Sequence, residues 1–208
     1  MRDYYEAGNV LVVLRVVRQQ GDIVAQGGSG DPGVPAFDRP ADTATVGGYL
    51  GYADTALVAG SPGEAARGFE RGMKEGIVPS AGSNQVTLQE AKAAVAADRK
   101  SLPDESAAAA KNPKGEFAVK VGLGYYSTGD YEKAVEMIRL GITKGGVGRL
   151  DDANLLLGAA LMELSRRDEA KAAFEAAAAA AGANAHMVRI AGLWLTLLGR
   201  QESAPAGG

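Results

Sequence analysis

Gly115–Gly145 reads GEFAVKVGLGYYSTGDYEKAVEMIRLGITKG, and its reading decides the fold. Ala118, Val121, Gly122 and Tyr125 recur at three- and four-residue steps, which lines them along one face of a helix. After the break at Thr128-Gly129-Asp130, Tyr131, Ala134, Val135, Ile138 and Ile142 repeat the same period. Two helices joined by a tight turn are expected.

The pattern returns as Asn154-x2-Leu157-Gly158-x2-Leu161 followed by Ala170-x3-Phe174. Gly122 and Gly158 stand 36 residues apart (158 − 122), and the glycine-rich run Gly145–Gly148 joins the two units. A weaker copy occupies Thr43–Gly76: Tyr49-x2-Tyr52-Ala53-x2-Ala56, a turn at Gly60-Ser-Pro-Gly63, then Ala65-x3-Phe69. The step from Ala53 to Gly122 is close to twice the step from Gly122 to Gly158, so one further unit of chain lies between them. That chain holds a long helix through LQEAKAAVAADRKSL, with Leu88, Ala91, Val95 and Leu102 inward. Ser101-Leu-Pro-Asp104 then reads as the start of a second helix, which Asn112-Pro113 stops. Beyond the last repeat, Met187, Ile190, Ala191, Trp194 and Leu198 share one face, as expected of a helix that caps an open stack, and Trp194 is expected in the core.

The expected order is an amino-terminal helix and Gly/Pro linker (1–42), a degenerate repeat (43–79), a divergent helical pair (80–113) and repeats at 115–148 and 151–184. A capping helix (185–199) and a disordered tail (200–208) follow. Val10–Val17 is the most apolar run, and its β-branched residues permit a strand as well as a helix. It is too short to span a bilayer, contains Arg15 and follows Asp3 and Glu6, so neither a membrane helix nor a signal peptide is expected. Gly27–Pro40, GGSGDPGVPAFDRP, reads as a loop or tether, with a lid as the sharper alternative.

The 22 basic and 25 acidic residues leave a formal charge of −3 with no Lys/Arg stripe, which disfavours nucleic acid. With no cysteine and one histidine, His186, the chain lacks thiolate zinc sites, cysteine nucleophiles and the usual hydrolytic triad. No cofactor, metal or catalytic residue is expected. Gly122-Leu-Gly124 lies inside a helical pattern, so its amides would not converge on a phosphate, and Asp151 and Asp152 are explained by capping at a helix start.

These spacings resemble the tetratricopeptide repeat (TPR), whose period is ~34 residues. More widely, AADRKSL, GDYEKAVE, LGITKGGV, DDANLLLGAAL and the closing LWL, in order between Ala96 and Leu195, resemble alanine-rich TPR proteins of Gram-negative, particularly alphaproteobacterial, bacteria. The resemblance implies an all-α fold, a right-handed α-solenoid of antiparallel helix pairs with a carboxy-terminal capping helix. It also implies a non-enzymatic scaffold that holds a protein or peptide segment in a concave groove. Such a protein would be periplasmic if an export signal has been removed and cytoplasmic otherwise.

In that family the groove-facing positions fall one residue after the signature glycine and three and four further on. Here these are Asp54, Leu57 and Val58; Leu123, Tyr126 and Ser127; Ala159, Met162 and Glu163, with Lys120 nearby. None of the nine is Lys, Asn or Arg, so clamping of a terminal carboxylate is not expected. Tyr126 and Met162, 36 residues apart (162 − 126), are expected to grip an apolar side chain while Asp54 and Glu163 fix polar ends. Alternatively these residues pack against the protein itself. A different reading, a structural solenoid that self-associates through its end helices, stays open beside the groove.

Overall fold

The computed structural model describes residues 46–180, 182–183 and 185–203, and every element among them is a helix. The expectations for residues 1–42 and for 204–208 lie outside the described residues. The helices are α1 Val46–Val58, α2 Pro62–Lys74, α3 Ser83–Lys111, α4 Glu116–Thr128, α5 Tyr131–Lys144, α6 Leu150–Glu163, α7 Arg167–Ala179 and α8 Ala185–Ser203. Consecutive helices pack as the pairs α1/α2, α4/α5 and α6/α7, with α5 also on α6 and α8 on α7. The chain divides into two compact units between Arg99 and Lys100.

The three pairs are closed by one and the same turn. At Gly60, Gly129 and Ser165 the backbone enters the left-handed region, with φ of 68°, 84° and 59°. The amide of that residue donates three residues back: Gly60 to Leu57 at 3.0 Å, Gly129 to Tyr126 at 3.1 Å, Ser165 to Met162 at 3.0 Å. The next amide donates five back: Ser61 to Ala56 at 2.8 Å, Asp130 to Tyr125 at 3.0 Å, Arg166 to Leu161 at 2.9 Å. This is a Schellman-type closure, which satisfies carbonyls that the helix end would otherwise leave bare. The turns recur in step with the helical patterns: Gly60 to Gly129 repeats the step from Ala53 to Gly122, and Gly129 to Ser165 repeats that from Gly122 to Gly158.

Inside each pair a glycine lets the helices approach. A Cβ at Gly122 would lie 2.5 Å from Ile138, and one at Gly158 would lie 2.4 Å from the ring of Phe174. Each partner follows its glycine by the same separation along the chain, so the two crossings are copies. The close neighbour of Gly158 is thus Phe174. In the first unit the glycines belong to α2: Gly68 lies under the Tyr52 ring, and Gly72 lies between Val78 and Tyr49.

Phe174 is stacked between that crossing and α8. Its ring lies 5.0 Å from Trp194 at 9°, and both are fully buried. Met187, Ile190, Ala191, Trp194 and Leu198 are all buried, as the spacing of the last segment requires. The helix runs to Ser203, so residues 200–203, expected in a disordered tail, are helical. Helix α7 ends at Ala179, with Ala180 extended at ψ 136°.

The largest departure is α3. The expected helical pair over 80–113 is one helix of 29 residues with Pro103 inside it. Proline removes a single ladder bond and kinks a helix without abolishing it, and anchors on both sides of Pro103 hold this one. Leu88 and Ala91 are buried in the first unit; Leu102 and Ala109 are buried in the second. Val95, expected inward with them, is only half-buried. In the second unit Leu102 fills the space over Gly124, and the Ser106 and Tyr125 hydroxyls share a hydrogen bond of 2.9 Å. The Lys144 ammonium, from the end of α5, donates to the carbonyls of Ala109, Ala110 and Asn112 at 2.9, 2.6 and 2.7 Å. All three of its protons are spent on the last turn of α3, where carbonyls lack ladder partners and a cation suits the dipole.

Candidate functional site

The expected groove residues fall into three groups. Asp54, Leu57 and Val58, at the end of α1, are exposed, Val58 at 68%. In the second unit Lys120 and Glu163 are exposed, and Leu123 and Met162 are half-buried. Tyr126, Ser127 and Ala159 are buried, at 0%, 0% and 1%.

Tyr126 therefore does not stand on an open wall. Its ring meets Tyr131, the first residue of α5, edge-on at 5.2 Å, and its position just before the Schellman turn draws it into the helix pair. The equivalence expected of Tyr126 and Met162 fails with it, because one is core and the other partly open. The same holds one and two turns earlier. Lys120 and Leu123 keep access to solvent, whereas their counterparts in the next repeat, Leu156 and Ala159, are buried. Helix α6 is buried on nearly every side from Leu155 to Leu161. Of the expected groove residues in this unit, those with access to solvent are Lys120 and Leu123 on α4, and Met162 and Glu163 at the end of α6.

The charged groups at the start of α6 take a different role from the capping expected of them. Arg149 holds the N-cap position and makes no cap bond. Its guanidinium forks onto both oxygens of Asp151 at 2.9 Å and reaches Asp152 Oδ1 at 3.4 Å. Asp151 is 2% exposed, so the Arg149 pair neutralises a buried carboxylate. Asp152 Oδ2 is buried with no hydrogen-bond partner among the described residues. Burial, with Asp151 and Glu116 adding, outweighs the attraction of Arg149 and pushes the Asp152 carboxyl up to about 7. Glu116 Oε2 accepts from the Gly148 amide at 2.9 Å, tying the start of α4 to the connection that leads into α6.

Other charges join neighbouring pairs. Glu169 on α7 accepts from Arg166 and Arg139, and the hydrogen bond of Arg166, reinforced by Arg139 from α5, holds its carboxyl down to about 2. In the first unit, buried Glu64 accepts from the Tyr52 hydroxyl and from Arg67, each at 2.5 Å, which fixes α2 against α1. These arrangements bind helix to helix; none assembles an acid, a base and a nucleophile around one point. Among the described residues no three His, Asp or Glu side chains gather as a metal site would need. Among them also, no helix is long and apolar enough to cross a membrane.

No protein-family model matches the chain, and no curated protein matches it. The residues that sequence reasoning missed are Lys144, Ser165 and Arg149. Ser165 had a signal in the sequence: it follows the turn glycine Gly129 by the same step that separates Gly122 from Gly158.

Proposed function

We propose that the chain is a TPR-like solenoid, a right-handed stack of helix pairs closed by α8, that serves as a protein-interaction scaffold. The observation that supports the repeat reading is the thrice-repeated Schellman closure, together with the copied crossings at Gly122 and Gly158. A fold built of copied units offers an extended surface rather than a closed chemical pocket. The proposed contact surface in the second unit is Lys120, Leu123, Met162 and Glu163, with Tyr126 supporting it from the core. Lys120 and Glu163 carry opposite charge, so the favoured ligand is a peptide with an apolar residue flanked by an acidic and a basic one.

The test is fluorescence anisotropy with a library of such peptides against the wild type and the double variant Leu123→Ala, Met162→Ala. Truncating central contacts weakens binding by on the order of 2 kcal/mol or more, which is well over tenfold. Equal affinity for both proteins, or no peptide bound at all, removes this surface from the proposal.

A second reading, self-association through the end helix, has its own observation. Val188 is 41% exposed on α8, and a Cβ added at Gly192 or Gly199 would meet none of the described residues within 4 Å. Glycine within a helix costs ~1 kcal/mol relative to alanine, and neither of these two serves a crossing among the described residues. Light scattering across concentration decides: a mass that stays at one chain refutes self-association, whereas a mass that doubles and is lost in Gly192→Leu supports it.

A further inference from the structure

We propose that α3 carries a built-in break point at Arg99–Ser101, at which the one helix exchanges with two. The argument starts from a conflict between local sequence and observed structure. Ser101-Leu-Pro-Asp104 has the composition of a helix start: a serine that can cap, an acidic residue three positions on that can return the bond, and a proline within the first turn. Yet it sits deep in the interior of a continuous helix that begins at Ser83. Pro103 has no N–H, so the ladder is one bond short just where this second start is written. A segment whose local preference disagrees with its surroundings is where two arrangements lie closest in free energy.

Four observations place the break and say what survives it. From Lys92 to Ser101 no residue is buried, and Ala94, Val95 and Asp98 are half-buried, so no core side chain would have to leave its place. On the amino-terminal side Leu88 and Ala91 are buried in the first unit, and Lys92 pairs with Glu70 at 2.7 Å. On the carboxy-terminal side the stub from Leu102 is held by Gly124, by Tyr125 through Ser106, and by Lys144. The division between the two compact units falls within the same stretch, at Arg99 and Lys100. Opening the helix there keeps every one of these contacts. The inference concerns the chain alone and stands whether or not it is a scaffold.

The chain has no cysteine, so Ala93→Cys and Ala110→Cys, both at exposed positions of α3, give a clean pair of spin labels. The unbroken helix between them, at a rise of ~1.5 Å per residue, sets their Cα atoms about 25 Å apart. The expected result is two distance populations in the otherwise native chain, a single one near the unbroken value in Pro103→Ala, and a smaller second population in Ser101→Ala. A single narrow population that is the same with and without Pro103 overturns the proposal. Hydrogen exchange on the unmodified protein covers the case in which a variant fails to fold. Amides of Lys100–Leu102 should exchange at least about tenfold faster than those of Leu88 and Ala109, and equal protection along α3 overturns the proposal as well.

Discussion

Replacing Lys144 by Met keeps the aliphatic stem and removes three ammonium–carbonyl bonds from the end of α3. A hydrogen bond with a charged partner contributes ~1.5–3 kcal/mol, and a cation at a partly buried helix C-terminus up to ~2 kcal/mol. The contributions do not add, because the three carbonyls share one charge and the bond to Ala110 is exposed. The expected loss is about 2 kcal/mol, read as a lower urea midpoint at unchanged slope and a melting temperature lower by about 5–10 °C. Lys144→Arg should recover only part of this, since a planar fork does not converge on three carbonyls as an ammonium does. The deficit should persist in about 1 M salt, where an exposed ion pair would be screened. A loss below about 0.5 kcal/mol, or one that salt abolishes, would show that water replaces the ammonium without cost and that the clamp is incidental.

Three further outcomes can be checked by the same melts. Ser165→Gly should raise stability by about 1 kcal/mol, because it relieves a non-glycine residue at φ 59° in a turn whose two counterparts are glycine. Gly158→Ala should lower it by about 1–3 kcal/mol, since the new Cβ would stand 2.4 Å from the Phe174 ring in a crossing with no room to shift. Asp152 gives a pH signature with a defined sign: its carboxyl titrates near 7 when folded and near ~3.9 when unfolded, so between those values the folded state holds the extra proton. Stability should therefore fall as pH rises from about 4 to 7, by at most about 1.4 kcal/mol per pH unit, and level off above 7. Asp152→Asn should flatten that slope, and an unchanged slope would assign it to other groups.

The helix pairs were legible because their signal is periodic and redundant. Gly122 with Ile138, and Gly158 with Phe174, state the crossing twice, and Gly129-Asp130 states the turn. Trp194 was legible as core for the same reason: four other apolar residues of α8 share its face. Pro103 misled because a proline signature is local, whereas the contacts that hold the stretch from Leu102 to the end of α3, Lys144 among them, come from helices much further along the chain. The groove was the least legible part. Family spacing places positions around a helix axis, but which of those positions remain open depends on the neighbours, and these bury Tyr126, Ser127 and Ala159 while leaving Lys120 and Glu163 in solvent. Arg149 and Asp151 failed differently: an acidic residue at a helix start serves equally as a cap or as half of an ion pair, and only the geometry separates the two.

The Phe174–Trp194 stack makes the chain its own optical probe. Trp194 is the sole tryptophan, fully buried, with its indole N–H facing no acceptor among the described residues. Its emission should be blue-shifted while α8 is seated and move red as soon as water reaches the ring. Ellipticity, by contrast, averages over all the helices. If the stack peels from its end, tryptophan emission changes at lower denaturant than ellipticity; if the second unit melts as a block, that unit's share of the helix signal and the emission fall together. The two traces thus separate fraying of the last helix from cooperative collapse without any label.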